Sequence, residues 1–142
     1  MRKLDTHVSF VGFVEGETKV MLLQAADLFV LPSLSENFSI AIAEAMAVGL
    51  PVIVTEAVQI APEIIKANAG LIVKGEIEDI SQAISHLLTS SLVRKRLGIN
   101  AKKFAKNNYN WDNIAASLIN IYAAILNKNI IIDSPFYPNF GF

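Results

Sequence analysis

Three apolar runs without polar alternation, each bounded by proline or glycine, limit what this chain can fold into. "DLFVLP" (27–32), "PVIVT" (51–55) and "GLIV" (70–73) have the pattern of strands buried on both faces, as in a parallel sheet covered by helices. "HVSFVGF" (7–13), β-branched and aromatic, reads as a further strand ending near Gly12. The segments between the runs have helical spacing. In "EGETKVMLLQAA" (15–26), Val20, Leu22 and Leu23 fall toward one face. A helix from Phe38 to Val48 is closed by Gly49 and Pro51. "APEIIKAN" (61–68) is a short helix opened by Pro62 and ended near Gly70. After residue 73 only helices are expected: 78–90, 91–108 with a bend at Gly98, and 111–127. Strand and helix thus alternate, which predicts an α/β fold: a Rossmann-like parallel sheet with helices on both faces, followed by C-terminal helices. Such sheets bind ligands at the carboxyl ends of their strands, and the segment after Pro32 lies at one such end.

Composition narrows the function classes. The apolar content is 53%, above the usual value of about 45–50%, so the chain must bury most of two layers or lean on something else. A net charge of −1 gives no long-range field toward nucleic acid or anionic lipid. With no cysteine, disulfides and thiolate metal sites are excluded, and a reducing compartment fits. His7 and His86 stand apart from each other and from any acidic cluster, so no metal centre is expected. "MRKLDTHVSF" lacks the apolar core of a signal peptide, and no apolar run has the length of a membrane span. A cytoplasmic domain over residues 1–127 is the expectation. Residues 128–142 form an apolar tail with Ile130, Ile131, Ile132, Phe136, Tyr137, Phe140 and Phe142, dense enough to pack on this chain or on another.

The turn after "FVLPS" carries the candidate chemistry. If a helix begins at Phe38, the N–H groups of Asn37, Phe38 and Ser39 lie at its start without partners inside it, and with the helix dipole they favour a phosphate. Ser35 or Asn37 could serve instead as a side-chain cap there. Glu36 and Glu44 are eight residues apart. In one continuous helix they would stand roughly 12 Å apart along the axis, the span of a nucleotide sugar with its sugar at one end and its ribose at the other. A carboxylate suits vicinal hydroxyls such as the ribose 2′ and 3′ pair. Glu44 sits in "IAIAEAMAV" with no other charge, and an unpartnered buried carboxylate costs several kcal/mol, so it needs a donor. Two readings stand level at this point: a ligand site, or an ion pair with lysine or arginine from a neighbouring element.

"PSLSENFSIAIAEAMAVGLPVIVT" (32–55) resembles the signature of retaining glycosyltransferases of the GT-B fold, the large family 4 group. Glu36 and Glu44 match that family's glutamate pair, and "EAMAVGLPVI" (44–53) matches the family's continuation from the second glutamate. "VSFVGFV…LLQAADLFVLPS" upstream, then "PEII" (62–65), "AGLIV" (69–73), "ISQAISHLLTS" (80–90) and Trp111 before the last helix keep the family's order. The resemblance spans residues 8 to about 125. It implies a donor half that binds a nucleotide sugar, such as a UDP- or GDP-sugar, and needs no other cofactor and no structural metal. Glu44 would bind the nucleotide ribose, Glu36 would be catalytic beside the reacting sugar carbon, and Asn37, Phe38 and Ser39 would hold sugar or phosphate oxygens through their amides.

The chain departs from the family in three places. "ENFS" (36–39) puts Ser39 where the family has glycine. "AVQIAPE" (57–63) lacks the usual Gly-Gly before "PE". The strand and helix that carry the family's pyrophosphate-binding arginine and lysine have no match, since Arg2 and Lys3 precede the wrong strand, and the amino-terminal acceptor domain is also unmatched. Two carboxylates near a pyrophosphate repel it by roughly 4 kcal/mol at 4 Å and an effective dielectric near 20. Weak donor binding and no independent turnover are therefore expected, with the missing half as a partner. The other readings are a non-catalytic relative that acts as an interaction partner, a decayed or split gene product, and an unrelated receiver-like or flavodoxin-like domain, which leaves Glu44 unexplained. Arg94, Lys95, Arg96, Lys102, Lys103 and Lys106 form either a solvated helix face or a peripheral contact with an anionic membrane. No aromatics interleave them as RNA binding would require. Ile114, Leu118, Ile121 and Ile125 give the last helix an apolar stripe for core or interdomain packing, with a homodimer as one use of its exposed face.

Overall fold

In the computed structural model, residues 7–126 are described. Arg2, Lys3 and the apolar tail over 128–142 lie outside them. The described elements run in the order α1 (Gly16–Ala25), β1 (Phe29–Leu31), α2 (Ile40–Val48), β2 (Val52–Thr55), α3 (Ala61–Ala67), β3 (Gly70–Val73), α4 (Ile77–Thr89), α5 (Ser91–Asn108) and α6 (Trp111–Leu126). The strands pair in chain order, β1–β2–β3, and both pairings are parallel. Val52 stands opposite Phe29 on one side and Gly70 on the other, which brings the carboxyl ends of β1 and β2 level.

The three apolar runs are the three strands, and β2 is buried at every position. Its pleat divides the core into two layers. Val52 and Val54 pack with Ile42 and Met46 of α2, Ile64 of α3, and Ala101 and Ala105 of α5. Ile53 faces the opposite layer, with Ala83 and Leu87 of α4 and Leu97 of α5. This is the expected α/β sheet with helices on both faces.

Local signals end the elements. Gly49, at φ 96, lets the Leu50 N–H donate to the Ala45 carbonyl at 3.0 Å and closes α2. Asn68, at φ 49, does the same for α3, with the Ala69 N–H on the Ile64 carbonyl at 3.0 Å. Ser90 ends α4 and caps α5, its hydroxyl accepting from the Val93 N–H. Arg94 then donates to the carbonyls of Leu87 and Leu88, both at 2.7 Å, which satisfies the end of α4. Part of the basic stretch is thus used inside the fold.

Three expectations are corrected. Residues 8–14 form no strand among the described residues, and Phe10 and Phe13 are 97% and 89% exposed. α2 begins at Ile40 rather than Phe38. α5 runs unbroken through Gly98, where it approaches the backbone of Gly49 rather than bending. On α6 the inward face carries half-buried Ile114 and Ile121, while Leu118 and Ile125 are exposed. Neither α1 nor α6 has a buried residue. No helix of the described residues is long and apolar enough to cross a membrane.

Candidate functional site

The loop from Pro32 to Ser39 leaves the carboxyl end of β1 and is tied to the end of β2. The Thr55 hydroxyl donates to the Ser33 carbonyl, and Thr55 is buried. Glu36 is held through its backbone: its N–H donates to the Ala57 carbonyl at 3.3 Å, and its own carbonyl accepts from the Gln59 N–H at 2.9 Å. These bonds form an isolated parallel bridge to Val58. The stretch from Ala57 to Gln59 therefore fixes the Glu36 backbone. The Glu36 side chain makes no hydrogen bond or ion pair among the described residues.

Ser39 is the cap of α2. It is 7% exposed, and its hydroxyl accepts from the Ile42 N–H at 3.4 Å. The cap is therefore Ser39, not Ser35 or Asn37, because the helix begins two residues later than its apolar pattern indicated. The N–H groups of Asn37, Phe38 and Ser39 precede the helix, and no carbonyl among the described residues accepts from them. Phe38 is half-exposed, and its ring stands edge-on to Tyr109 at 5.1 Å. Tyr109 in turn meets Phe104 at 5.5 Å. The end of α5 thus braces the loop.

Glu44 lies on α2 itself, so Glu36 and Glu44 do not share one helix and the axial span of a continuous helix does not apply to them. Glu44 is only half-buried, and its donor is Lys19 of α1: Lys19 Nζ donates to Glu44 Oε1 at 2.6 Å, with the two side chains 37% and 35% exposed. Of the two readings of Glu44, the ion pair with a lysine of a neighbouring element is present. At that exposure its net contribution to stability is about 0.2–1 kcal/mol. Glu44 Oε2 has no partner among the described residues.

Lys19 and Glu44 line an open cleft of about 640 Å³ between α1 and α2, together with Gly16, Glu17, Val20 and Met21. Glu36, Asn37, Phe38 and Ser39 lie outside it. Of the two glutamates, Glu44 alone stands in the cleft. Sequence reasoning missed Lys19. Its signal was indirect, in that Glu44 demanded a cation, but the two residues are 25 positions apart.

The domain is a parallel α/β sheet flanked by helices, a class whose ligands lie at the carboxyl ends of the strands. The chain belongs to the Glycosyl transferases group 1 family, whose model matches residues 1–104. It is 38% identical over 117 residues to an uncharacterized glycosyltransferase of Methanocaldococcus jannaschii, covering 81% of this chain and 30% of that protein. The sucrose-phosphate synthase of Thermosynechococcus elongatus superposes with a TM-score of 0.81 at 28% identity, over 88% of this chain and 32% of the synthase. The C-terminal domain of a glycosyl transferase group 1 family protein from Francisella tularensis superposes with a TM-score of 0.66 at 28% identity, over 76% of this chain and 56% of that domain. The chain therefore spans about a third of the full-length proteins it resembles.

Proposed function

We propose that this chain is the donor-binding part of a retaining family 4 glycosyltransferase, which moves a sugar from a nucleotide sugar to an acceptor. The observation that carries the reading is Glu44: its Oε1 is held by Lys19 while Oε2 is left to accept a hydroxyl at the edge of the α1–α2 cleft. Glu44 takes the ribose hydroxyls of a UDP or GDP group. Glu36 stands at the donor sugar, and the amides of Asn37, Phe38 and Ser39 hold sugar or phosphate oxygens. In the transfer, the bond from the anomeric carbon to the diphosphate oxygen breaks and a bond to the acceptor hydroxyl oxygen forms. The hydroxyl proton leaves with the nucleoside diphosphate.

The part does not turn over alone. Two observations support this: the chain covers 56% of the Francisella domain, and the outer edge of β1 is unpaired among the described residues. The rest of the donor domain and an acceptor domain are its partners.

The test is calorimetry with UDP and GDP at millimolar concentration, on the parent chain and on Glu44→Gln. Binding by the parent that falls roughly tenfold in the variant, the scale of one charged hydrogen bond, supports the site. Equal binding by both chains refutes the role of Glu44.

A further inference from the structure

Resting on that reading of Glu44, we propose that Lys19 is a positioning residue of the nucleotide site: it fixes the Glu44 carboxylate for the ribose. α1 buries none of its residues, and Lys19 reaches instead to the Glu44 carboxylate of α2 at 2.6 Å. The cleft they line also contains Glu17. Lys19 is the one basic side chain among the lining residues, which include two carboxylates, and it is bonded to that of Glu44.

A carboxylate on a helix surface has several rotamers, and only some direct an oxygen at a pair of hydroxyls. The short bond to Lys19 removes that freedom at Oε1 and leaves Oε2 directed by the remaining geometry. The contribution of Lys19 is therefore made through Glu44. This gives it a signature different from that of a lysine that meets the phosphates directly.

The experiment measures affinity for UDP and GDP, and for their 2′-deoxy forms, with the parent, Lys19→Met, Lys19→Arg, Glu44→Gln and the Lys19→Met/Glu44→Gln double variant. Lys19→Met is expected to weaken binding of the nucleoside diphosphate roughly fivefold, equivalent to about 1 kcal/mol, and Lys19→Arg to restore most of it. The double variant should bind no worse than Glu44→Gln alone, and the Lys19→Met loss should shrink for the 2′-deoxy ligand. The melting temperature of Lys19→Met should fall by no more than about 5 °C, the scale of losing one half-exposed ion pair. Losses that add in the double variant, or a Lys19→Met chain that binds as the parent does while Glu44→Gln does not, overturn the proposal and leave the ribose reading standing. A Glu44→Gln chain that binds as the parent does, or a parent that binds no nucleotide, removes that reading and this inference with it.

Discussion

Replacing a helical glycine by alanine ordinarily stabilises a protein by about 1 kcal/mol. At Gly98 the sign is expected to reverse. A methyl group there would stand 2.2 Å from the Gly49 carbonyl oxygen and 3.3 Å from its carbon. Gly49 has no freedom to yield, because its φ of 96° closes α2 and directs the Leu50 N–H onto Ala45. To reach ordinary contact, α5 must withdraw from the α2 turn by about 1 Å. That opens the layer in which Ala101 and Ala105 meet Ile42 and Met46. Overpacking of this kind costs about 1–3 kcal/mol, which exceeds the propensity gain over most of its range. For a chain of this size the net loss corresponds to a fall in melting temperature of roughly 3–6 °C. Circular dichroism melts of Gly98→Ala and of Gly75→Ala measure it. Gly75 is the control, since a methyl group there meets nothing within 4 Å, and its variant should melt with the parent or slightly above. A Gly98→Ala chain that melts at or above the parent would refute the claim that backbone proximity, not bending, explains this glycine.

Ser39→Ala removes the α2 cap and should cost about 1 kcal/mol in urea denaturation, whereas Ser39→Gly should cost only a few tenths. Equal losses would show that the hydroxyl bond to Ile42 contributes nothing. Tyr109→Leu removes the ring that meets both Phe38 and Phe104. It is expected to cost about 0.5–1.5 kcal/mol for each edge contact, and to speed hydrogen exchange at the amides of Asn37 to Ser39 more than at those of β2.

What each residue must satisfy decides how legible it is in the sequence. β2 and β3 are apolar along their lengths because both faces are covered, and such runs identify themselves without knowledge of their neighbours. "HVSFVGF" has equally good strand residues, yet a strand is defined by a hydrogen-bonding neighbour, and Val8, Phe10, Val11 and Phe13 find none among the described residues. Side-chain preference records how well a residue fits a sheet, not whether a sheet is beside it. Gly98 shows the same limit in a helix. A glycine there signals that a side chain is unwelcome, but a kink and a close neighbour produce the same letter, and only the position of Gly49 decides between them.

The candidate site divides along the same line. Glu44 is conspicuous because charge in an apolar helix must be compensated, and chemistry alone requires a donor. Which of the 12 basic residues supplies it depends on how α1 lies against α2, and α1 buries nothing that would record this in its sequence. Ser39 is legible as a polar residue before an apolar helix, but Ser35 and Asn37 have equal claims. Burial decides among them: Ser39 is enclosed and must satisfy its hydroxyl within the fold, while Ser35 and Asn37 are exposed and can satisfy theirs in water. The same consideration separates the two glutamates. Glu36 is fixed by its backbone and its carboxylate has no partner among the described residues, whereas the Glu44 carboxylate is already half satisfied by Lys19. A ligand that bridges them would meet one carboxylate oriented in advance and one free to turn. Binding should therefore depend first on the Glu44 end, and the Glu36 carboxylate should be ordered only by a ligand it receives.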